Sequence, residues 1–233
     1  MHVPERKSGT KGIKTDWRRK TSSPELGTIH AKSQDLADLF HARCNVQSGF
    51  AEIEKAPAYA HSEIANTPRL AAAANTLKGW TGLAEYSMAR RNASKEGRDL
   101  LGAYLATRSA GYLFEFKMAW MKDGKSQLVH YSGDPVFQAK DQIAALDHPD
   151  GDAQNHGYSS FFGTFLVPSL DKDSARKRKD VFNDLCELCK DKGFYAYAVF
   201  SPALPRKALL RGPNREFRPA IAIDVTKYRS NNQ

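Results

Sequence analysis

Apolar residues recur along the chain at two different spacings, and the change between them predicts an order of helices and strands. From Ser33 onward they fall at helical spacing, behind a serine that can serve as the N-cap, and Pro57 bounds that run. An alanine-rich stretch over 68–77 predicts a second helix, which Gly79 ends. Two helices are therefore expected ahead of the first strand.

Beyond Gly79 the pattern changes to short apolar runs that are typical of strands, separated by turn residues and by two further helical patterns. A turn over 107–111 joins the second and third of these strands into a hairpin, and Asp134-Pro135 opens a helix with a capping carboxylate and a proline at the first helical position. The order predicts an α/β fold, a central mixed sheet flanked by helices. The predicted elements are strands over 83–90, 99–105 and 112–120, a helix over 134–146, a strand over 158–167, a helix over 174–190, and strands over 194–200 and 220–225.

Composition divides the chain at about residue 32. Residues 1–32 are rich in Lys, Arg, Ser, Thr and Gly, which predicts a flexible basic extension. Residues 33–233 are predicted to form a single domain, since the length of 233 residues suits one domain with an appendage.

The net charge indicates the class of partner, and the number of cysteines indicates the cellular compartment. The net charge of +9 favours an anionic partner, nucleic acid first and an acidic membrane surface second. No apolar run approaches the roughly 20 residues of a membrane-spanning helix, and the first residues lack the apolar core of a signal peptide. Three cysteines without a disulfide framework indicate a reducing compartment, so a cytoplasmic protein that does not cross the membrane is expected.

Two charged residues interrupt the most apolar of the predicted strands. Glu115 and Lys117 occupy alternate positions in the segment 112–120, so their side chains project from the same face. Charged groups on an otherwise apolar strand are costly unless they pair or bind a metal. The pattern predicts a catalytic pair, and the structural alternative is a salt bridge on the solvent face of a half-exposed sheet.

Asp99 lies on the preceding predicted strand. A turn centred on 107–108 would place residue 99 opposite residue 116, within cross-strand or diagonal reach of Glu115. Two converging carboxylates form a hard oxygen site suited to Mg²⁺ or Mn²⁺. Lys117 beside them can orient or deprotonate a water, or neutralise charge developing on a phosphate.

These residues resemble the motif of the PD-(D/E)xK nuclease superfamily, in which an aspartate precedes a Glu-x-Lys on the next strand. The resemblance covers about 68–200 and implies a restriction-endonuclease-like core with Mg²⁺-dependent hydrolysis of phosphodiester bonds. It implies Asp99, Glu115 and the main-chain carbonyl of Phe116 as metal ligands, and Lys117 as the catalytic lysine. Arg98 replaces the proline that gives the motif its name.

The family often adds an acid from an earlier element, and the helix after the lysine strand often adds polar groups. Glu85 is the first choice for the additional catalytic acid and Glu63 the second. Gln138 and Gln142 share a face of the predicted helix over 134–146, where they can serve as the polar groups.

Two basic clusters are candidates for contact with a phosphate backbone. One opens the predicted helix over 174–190, where cations oppose the helix dipole, and the other lies in the proline-rich loop over 201–219. A solvated face is the alternative for both. The candidate residues are Arg176, Lys177, Arg178, Lys179, Arg206, Lys207, Arg211 and Arg215.

The sequence thus predicts a nuclease acting on nucleic acid, with DNA expected and RNA left open. A non-catalytic nucleic-acid-binding or assembly protein with the same fold is the alternative, and a small effector that binds an acidic protein is a third reading. A homodimer or a larger complex is equally open. Cys186-Glu-Leu-Cys189 lies inside a helical pattern without a second cysteine pair, which favours core packing over a zinc site.

Overall fold

Nine strands hydrogen-bond into one mixed sheet in the computed structural model. The structure describes residues 13–18, 26–54, 59, 63–88, 99–124, 127–129, 134–146, 157–202, 204–211 and 214–229. A separate two-stranded ribbon follows a short 3-10 helix, Arg206–Leu209. The elements are β1 (Ile13–Arg18), β2 (Leu26–Ala31), α1 (Gln34–Glu54), α2 (Glu63–Asn75), β3 (Thr81–Met88), β4 (Asp99–Ala106), β5 (Gly111–Gly124), β6 (Gln127–Val129), α3 (Asp134–Leu146), β7 (Ser159–Ser169), α4 (Arg178–Asp191), β8 (Ala196–Ser201), β9 (Leu210–Arg211), β10 (Glu216–Phe217) and β11 (Ile221–Lys227).

The sheet runs in the order β1-β2-β8-β11-β7-β5-β4-β3, and β6 pairs with the far end of β5. β5 and β7 are parallel because α3 connects them as a crossover, whereas the other neighbours are antiparallel. Helices cover both faces of this mixed sheet, so the predicted α/β class is confirmed. The helix predicted over 134–146 has these bounds in the structure.

The two faces of β5 bury different side chains. Phe114 and Phe116 point to the face covered by α1 and α2, in the largest apolar cluster. On the opposite face Leu113 packs with Ile143 of α3, while Ala119 and Met121 pack in the cluster that includes residues of α4. Glu115 and Lys117 alternate with the phenylalanines, so they lie on the α3 and α4 face, between two apolar clusters.

The N-terminal strands differ from the sequence prediction. β2 pairs with β8 in the interior of the sheet, and Ile29 and Ala31 are 2% and 1% exposed. Composition missed this strand because Gly27, Thr28 and His30 dilute its apolar pattern. The described core therefore includes residues that composition assigned to a flexible extension.

Two helices begin at residues other than those predicted. α2 starts at Glu63 and carries Pro68 in its interior. Buried Asn66, in the first turn, donates to Tyr59 O and accepts a hydrogen bond from Arg43. α4 starts at Arg178 rather than at 174, and an extended residue at 177 precedes it. The loop over 201–219 contains the 3-10 helix and the β9–β10 ribbon.

Candidate functional site

Glu115 and Lys117 form an ion pair on β5. Lys117 Nζ donates to Glu115 Oε1 at 2.8 Å. The carboxylate side chain is 4% exposed and the ammonium side chain 19%, so the pair is nearly enclosed. The solvent-face alternative does not describe this arrangement, because α3 and α4 cover the face from which both side chains project.

Gly102 of β4 holds the other oxygen of Glu115. Its backbone N–H donates to Glu115 Oε2 at 3.0 Å, so each carboxylate oxygen has a fixed donor. A Cβ at residue 102 would lie 3.0 Å from the carbonyl oxygen of Phe114, and glycine therefore permits the close approach of the two strands. The carboxylate is fixed in place before any ligand arrives.

The predicted register of the β4–β5 hairpin is wrong by two residues. Ala103 pairs with Phe114, whereas a turn centred on 107–108 would have paired it with Tyr112. The turn lies within the predicted 107–111, but its four loop residues, 107–110, centre it one residue further along than predicted, since Thr107 N–H donates to Ala110 O and Ala106 pairs with Gly111. Asp99 belongs to β4 and pairs with Met88 of β3, while its side chain lies outside the described residues.

Glu85, the first choice for an additional acid, lies across Gly102 from Glu115. The flanking pairs place Glu85 opposite Gly102, so the two glutamates are one strand apart, at about 10 Å between their backbones. Glu85 is exposed and has a φ of 53°, a left-handed conformation that is rare for a residue with a Cβ. Glu63 begins α2, which packs on the opposite face of the sheet, and its side chain lies outside the described residues.

The described residues supply only some of the oxygen ligands that a metal ion would need. Within the ranges that the structure describes, no three His, Cys, Asp or Glu side chains are grouped to hold a metal ion. Glu115 and the carbonyl of Phe116 are the predicted ligands whose surroundings are described, and Glu115 is already bonded at both oxygens. Strand alternation from the Ala103–Phe114 pair puts position 99 on the face of Phe114, opposite to Glu115, so the predicted convergence of Asp99 with Glu115 is wrong in this register. Glu85 is the described acid nearest to Glu115 on its own face of the sheet.

A row of polar residues leads from Lys117 into the sheet. Thr164 of β7 lies opposite Lys117, and Asp224 of β11 lies opposite Thr164. Thr164 bonds to Asp224 through its hydroxyl and, at 3.3 Å, through its backbone N–H. Burial raises the pKa of Asp224 from 3.8 to about 7, because removal from water disfavours the charged form more than Thr164 stabilises it.

This raised pKa makes the stability of the fold depend on pH. Because the native state keeps the proton between 3.8 and about 7, the free energy of unfolding falls as the pH rises through that interval. The difference in the pKa of Asp224 between the unfolded and the native state corresponds to a loss of roughly 4 kcal/mol in the free energy of unfolding over the whole interval. Urea unfolding at about pH 5 and about pH 8 should show a smaller pH-dependent loss in Asp224→Asn than in the native chain; equal losses would contradict the assignment.

Some of the predicted nucleic-acid contacts have structural partners. Arg178 donates to the carbonyls of Pro202, at 2.8 Å, and Leu204. Arg206 donates to Lys172 O and Ser174 O, at 3.0 and 2.8 Å. The two guanidinium groups thus bond Pro202, Leu204 and Arg206 to the segment over 172–178, since each offers several donors in one plane.

Of the other basic candidates, one forms an ion pair, one has a side chain outside the described residues, and four are exposed. Arg176 pairs with Asp184 of α4, and the side chain of Arg211 lies outside the described residues. For the exposed remainder, contact with a phosphate backbone stays a prediction. These residues are Lys177, Lys179, Lys207 and Arg215.

Two further expectations can be compared with the structure. Cys186 and Cys189 lie in α4, where Cys189 is fully buried in the apolar cluster, which agrees with core packing. Among the described residues, no helix has the length and hydropathy to span a membrane. Sequence reasoning missed Gly102 and Asp224; the signals available were a glycine inside a strand and a charge inside the apolar run 220–225.

Comparison of the chain with protein-family models, with curated proteins and with solved structures gave no match.

Proposed function

We propose that this chain is a divalent-metal-dependent nuclease that hydrolyses phosphodiester bonds, with DNA as the expected substrate. The observation that carries the proposal is the enclosed Glu115–Lys117 pair, joined at 2.8 Å on a strand whose other side chains are largely apolar. Burying an ion pair gains little stability over well-packed apolar residues. A site that uses the charges accounts better for the pair than stability does.

The connectivity around the pair supports the same proposal. From α2 to β7 the chain forms a helix, three antiparallel strands, the short strand β6 that pairs with the end of the third, a helix, and a strand parallel to the third. This is the order expected of a restriction-endonuclease-like core, with Asp99 on the second strand and Glu115 and Lys117 on the third. Membership of the PD-(D/E)xK superfamily is part of the proposal.

In the proposed reaction Lys117, Glu115 and Gly102 have different roles. Lys117 positions the attacking water and offers a positive charge to the phosphate, and Glu115 holds that ammonium at a fixed place on β5. Gly102 N–H keeps the carboxylate from rotating. A bound Mg²⁺ or Mn²⁺ would be held by Glu115, the carbonyl of Phe116 and a second acid, for which Glu85 lies on the same face of the sheet, and it would polarise the phosphate and lower the pKa of a water.

Charge and exposure favour nucleic acid as the partner. The net charge of +9 attracts a polyanion, and the exposed Lys177, Lys179 and Lys207 are free of the carbonyl contacts that engage Arg178 and Arg206 in the structure. Such cations would contact the phosphate backbone without reading sequence.

Removal of the metal and of the second acid tests the proposal. Plasmid and single-stranded DNA should be cleaved with Mg²⁺ or Mn²⁺ and left intact in EDTA. Asp99→Asn should abolish cleavage if Asp99 is the second ligand, and Glu85→Gln should do so if Glu85 takes that role. Asp191→Asn, an exposed acid at the end of α4, is the matched control. Cleavage that persists in EDTA would contradict the proposal.

A further inference from the structure

A row of partly exposed apolar and aromatic side chains crosses the sheet next to the proposed reaction centre. Tyr104 of β4 and Tyr158, which directly precedes β7, pack in the same apolar cluster as Ile143 of α3. Leu83 of β3 lies opposite Tyr104 and is 44% exposed. Both tyrosines are also partly exposed, so the Tyr104 row, formed by Leu83, Tyr104 and Tyr158, reaches the surface of the protein.

The Tyr104 row lies on the same face of the sheet as the acids of the proposed metal site. Tyr104 follows Gly102, whose N–H holds Glu115, by two residues of β4. Leu83 precedes Glu85 by two residues of β3. Two residues of a strand rise about 7 Å and project from one face. The row therefore runs beside the two glutamates, at a distance of about 7 Å along the strands.

The contact between the two tyrosine rings leaves ring faces for another flat group. The Tyr104 and Tyr158 rings meet at 62°, with 5.4 Å between their centroids. An edge-to-face contact uses one ring face, whereas a parallel stack would use one face of each ring. Gly111 makes room for Tyr158, because a Cβ at residue 111 would clash with that ring.

Exposed cations lie at the same end of the sheet as the Tyr104 row. Arg108 is in the turn that joins β4 to β5, and Arg229 follows the end of β11. β11 pairs with β7 as far as residues 227 and 161, close to the start of β7, so both cations lie at this end. Cations in these positions attract a phosphate backbone that continues past the row.

We propose that the Tyr104 row stacks on a base of a single-stranded nucleic acid whose adjoining phosphate lies at the proposed metal site, an inference that rests on the nuclease function proposed above. The spacing of about 7 Å lets one nucleotide place its phosphate beside Glu115 and its base on Tyr104. A base inside a duplex does not reach the row, because both of its faces already stack on neighbouring bases. Stacking on tyrosine also discriminates little among the bases, since each has a flat face.

Binding measured without metal tests this surface separately from catalysis. A short single-stranded oligothymidylate and an abasic strand of the same length are titrated with the full chain in EDTA, and fluorescence anisotropy of the labelled strands gives the affinities. The strand with bases should bind at least about tenfold more tightly, because the abasic strand offers charge alone. Equal affinities would overturn the proposal.

Substitutions at Tyr104 locate the contact. Tyr104→Leu keeps an apolar side chain in the cluster and removes the ring, so binding of single strands should weaken about tenfold. Duplex binding should stay within about twofold, since the backbone charge supplies it. Tyr104→Phe retains the ring, and Phe137→Leu changes an aromatic residue of α3 that is 62% exposed; both should bind as the native chain does. Native affinity for single strands in a folded Tyr104→Leu variant would contradict the proposal.

Photo-crosslinking gives a readout that needs no substitution, in case Tyr104→Leu does not fold. A single strand that carries 5-iodouracil is irradiated with the native chain, and mass spectrometry identifies the crosslinked residue. The expected crosslink is at Tyr104 or Tyr158, whose rings would lie on the base. Crosslinks confined to other aromatic residues would overturn the assignment.

Cleavage assays then separate the two proposals. Binding of single strands that depends on Tyr104, in a chain that cleaves nothing with any divalent ion, would contradict the nuclease and support the stacking surface. Metal-dependent cleavage by a chain that binds abasic and natural strands equally would support the nuclease and contradict the stacking surface.

Discussion

Replacing Lys117 with alanine is expected to lower the rate of Mg²⁺-dependent cleavage by about 10²- to 10⁴-fold, the range over which one positioned proton-transfer group acts. The loss follows from geometry: Lys117 Nζ is fixed at 2.8 Å from Glu115 on a nearly enclosed face. Removing it leaves no described cation in that place. Initial rates of plasmid nicking under excess Mg²⁺ measure the effect.

Stability has to be measured beside the rate, because Lys117→Ala leaves a buried carboxylate with one partner fewer. Glu115 keeps the N–H of Gly102, so we expect a cost of about 1–3 kcal/mol and a folded protein. Lys78→Ala removes an exposed lysine in the turn after α2 and should change neither quantity. A Lys117→Ala variant that nicks DNA at the native rate would contradict the assigned role.

Gly163→Ala is expected to be the most damaging small substitution in the sheet. A Cβ at residue 163 would lie 2.0 Å from the backbone carbonyl oxygen of Asp224, so β7 and β11 would have to separate in the middle of the sheet. Overpacking of this kind costs about 1–3 kcal/mol and occasionally more, and a clash with backbone belongs at the upper end. Urea denaturation gives the change in the free energy of unfolding.

A second glycine provides the control for this experiment. Gly27 lies in β2, and a Cβ there would meet its nearest heavy atom, the carbonyl oxygen of Val199, at 3.9 Å. Gly27→Ala should therefore stay within about 0.5 kcal/mol of the native stability. If Gly163→Ala and Gly27→Ala are equally stable, β7 and β11 do not approach as closely as described.

Local signals predicted the elements next to the candidate site. The Asp-Pro pair at 134–135 predicted the start of α3, and the apolar and aromatic run after Gly111 predicted β5. Because alternate residues of a strand share a face, Glu115 and Lys117 were expected side by side, and they form an ion pair.

Properties set by distant parts of the chain could not be predicted. β2 has a weak apolar pattern and depends on β8, which follows about 170 residues later. The hairpin register depended on where the turn over 107–111 is centred, and the four loop residues, 107–110, centre it one residue beyond the predicted position. Arg178 and Arg206 were predicted to contact phosphate because the sequence does not show their structural partners. The carbonyls that they bind lie 24 or more residues away along the chain.

The enclosure of Glu115 was also invisible in sequence. A glutamate and a lysine on one strand are equally compatible with a solvated face, and the covering helices are placed by long-range packing. Gly102, which brings β4 close enough to bond to the carboxylate, acts through the absence of a side chain.

The most direct test of the proposed function is the initial rate of DNA cleavage by the native chain, Glu115→Gln and Lys117→Ala, each in excess Mg²⁺ and in EDTA. The account predicts cleavage by the native chain with Mg²⁺, none in EDTA, and a loss of about 10²-fold or more in each folded variant. Native rates in both variants, or no cleavage by the native chain with any divalent ion on double- or single-stranded DNA or on RNA, would contradict it.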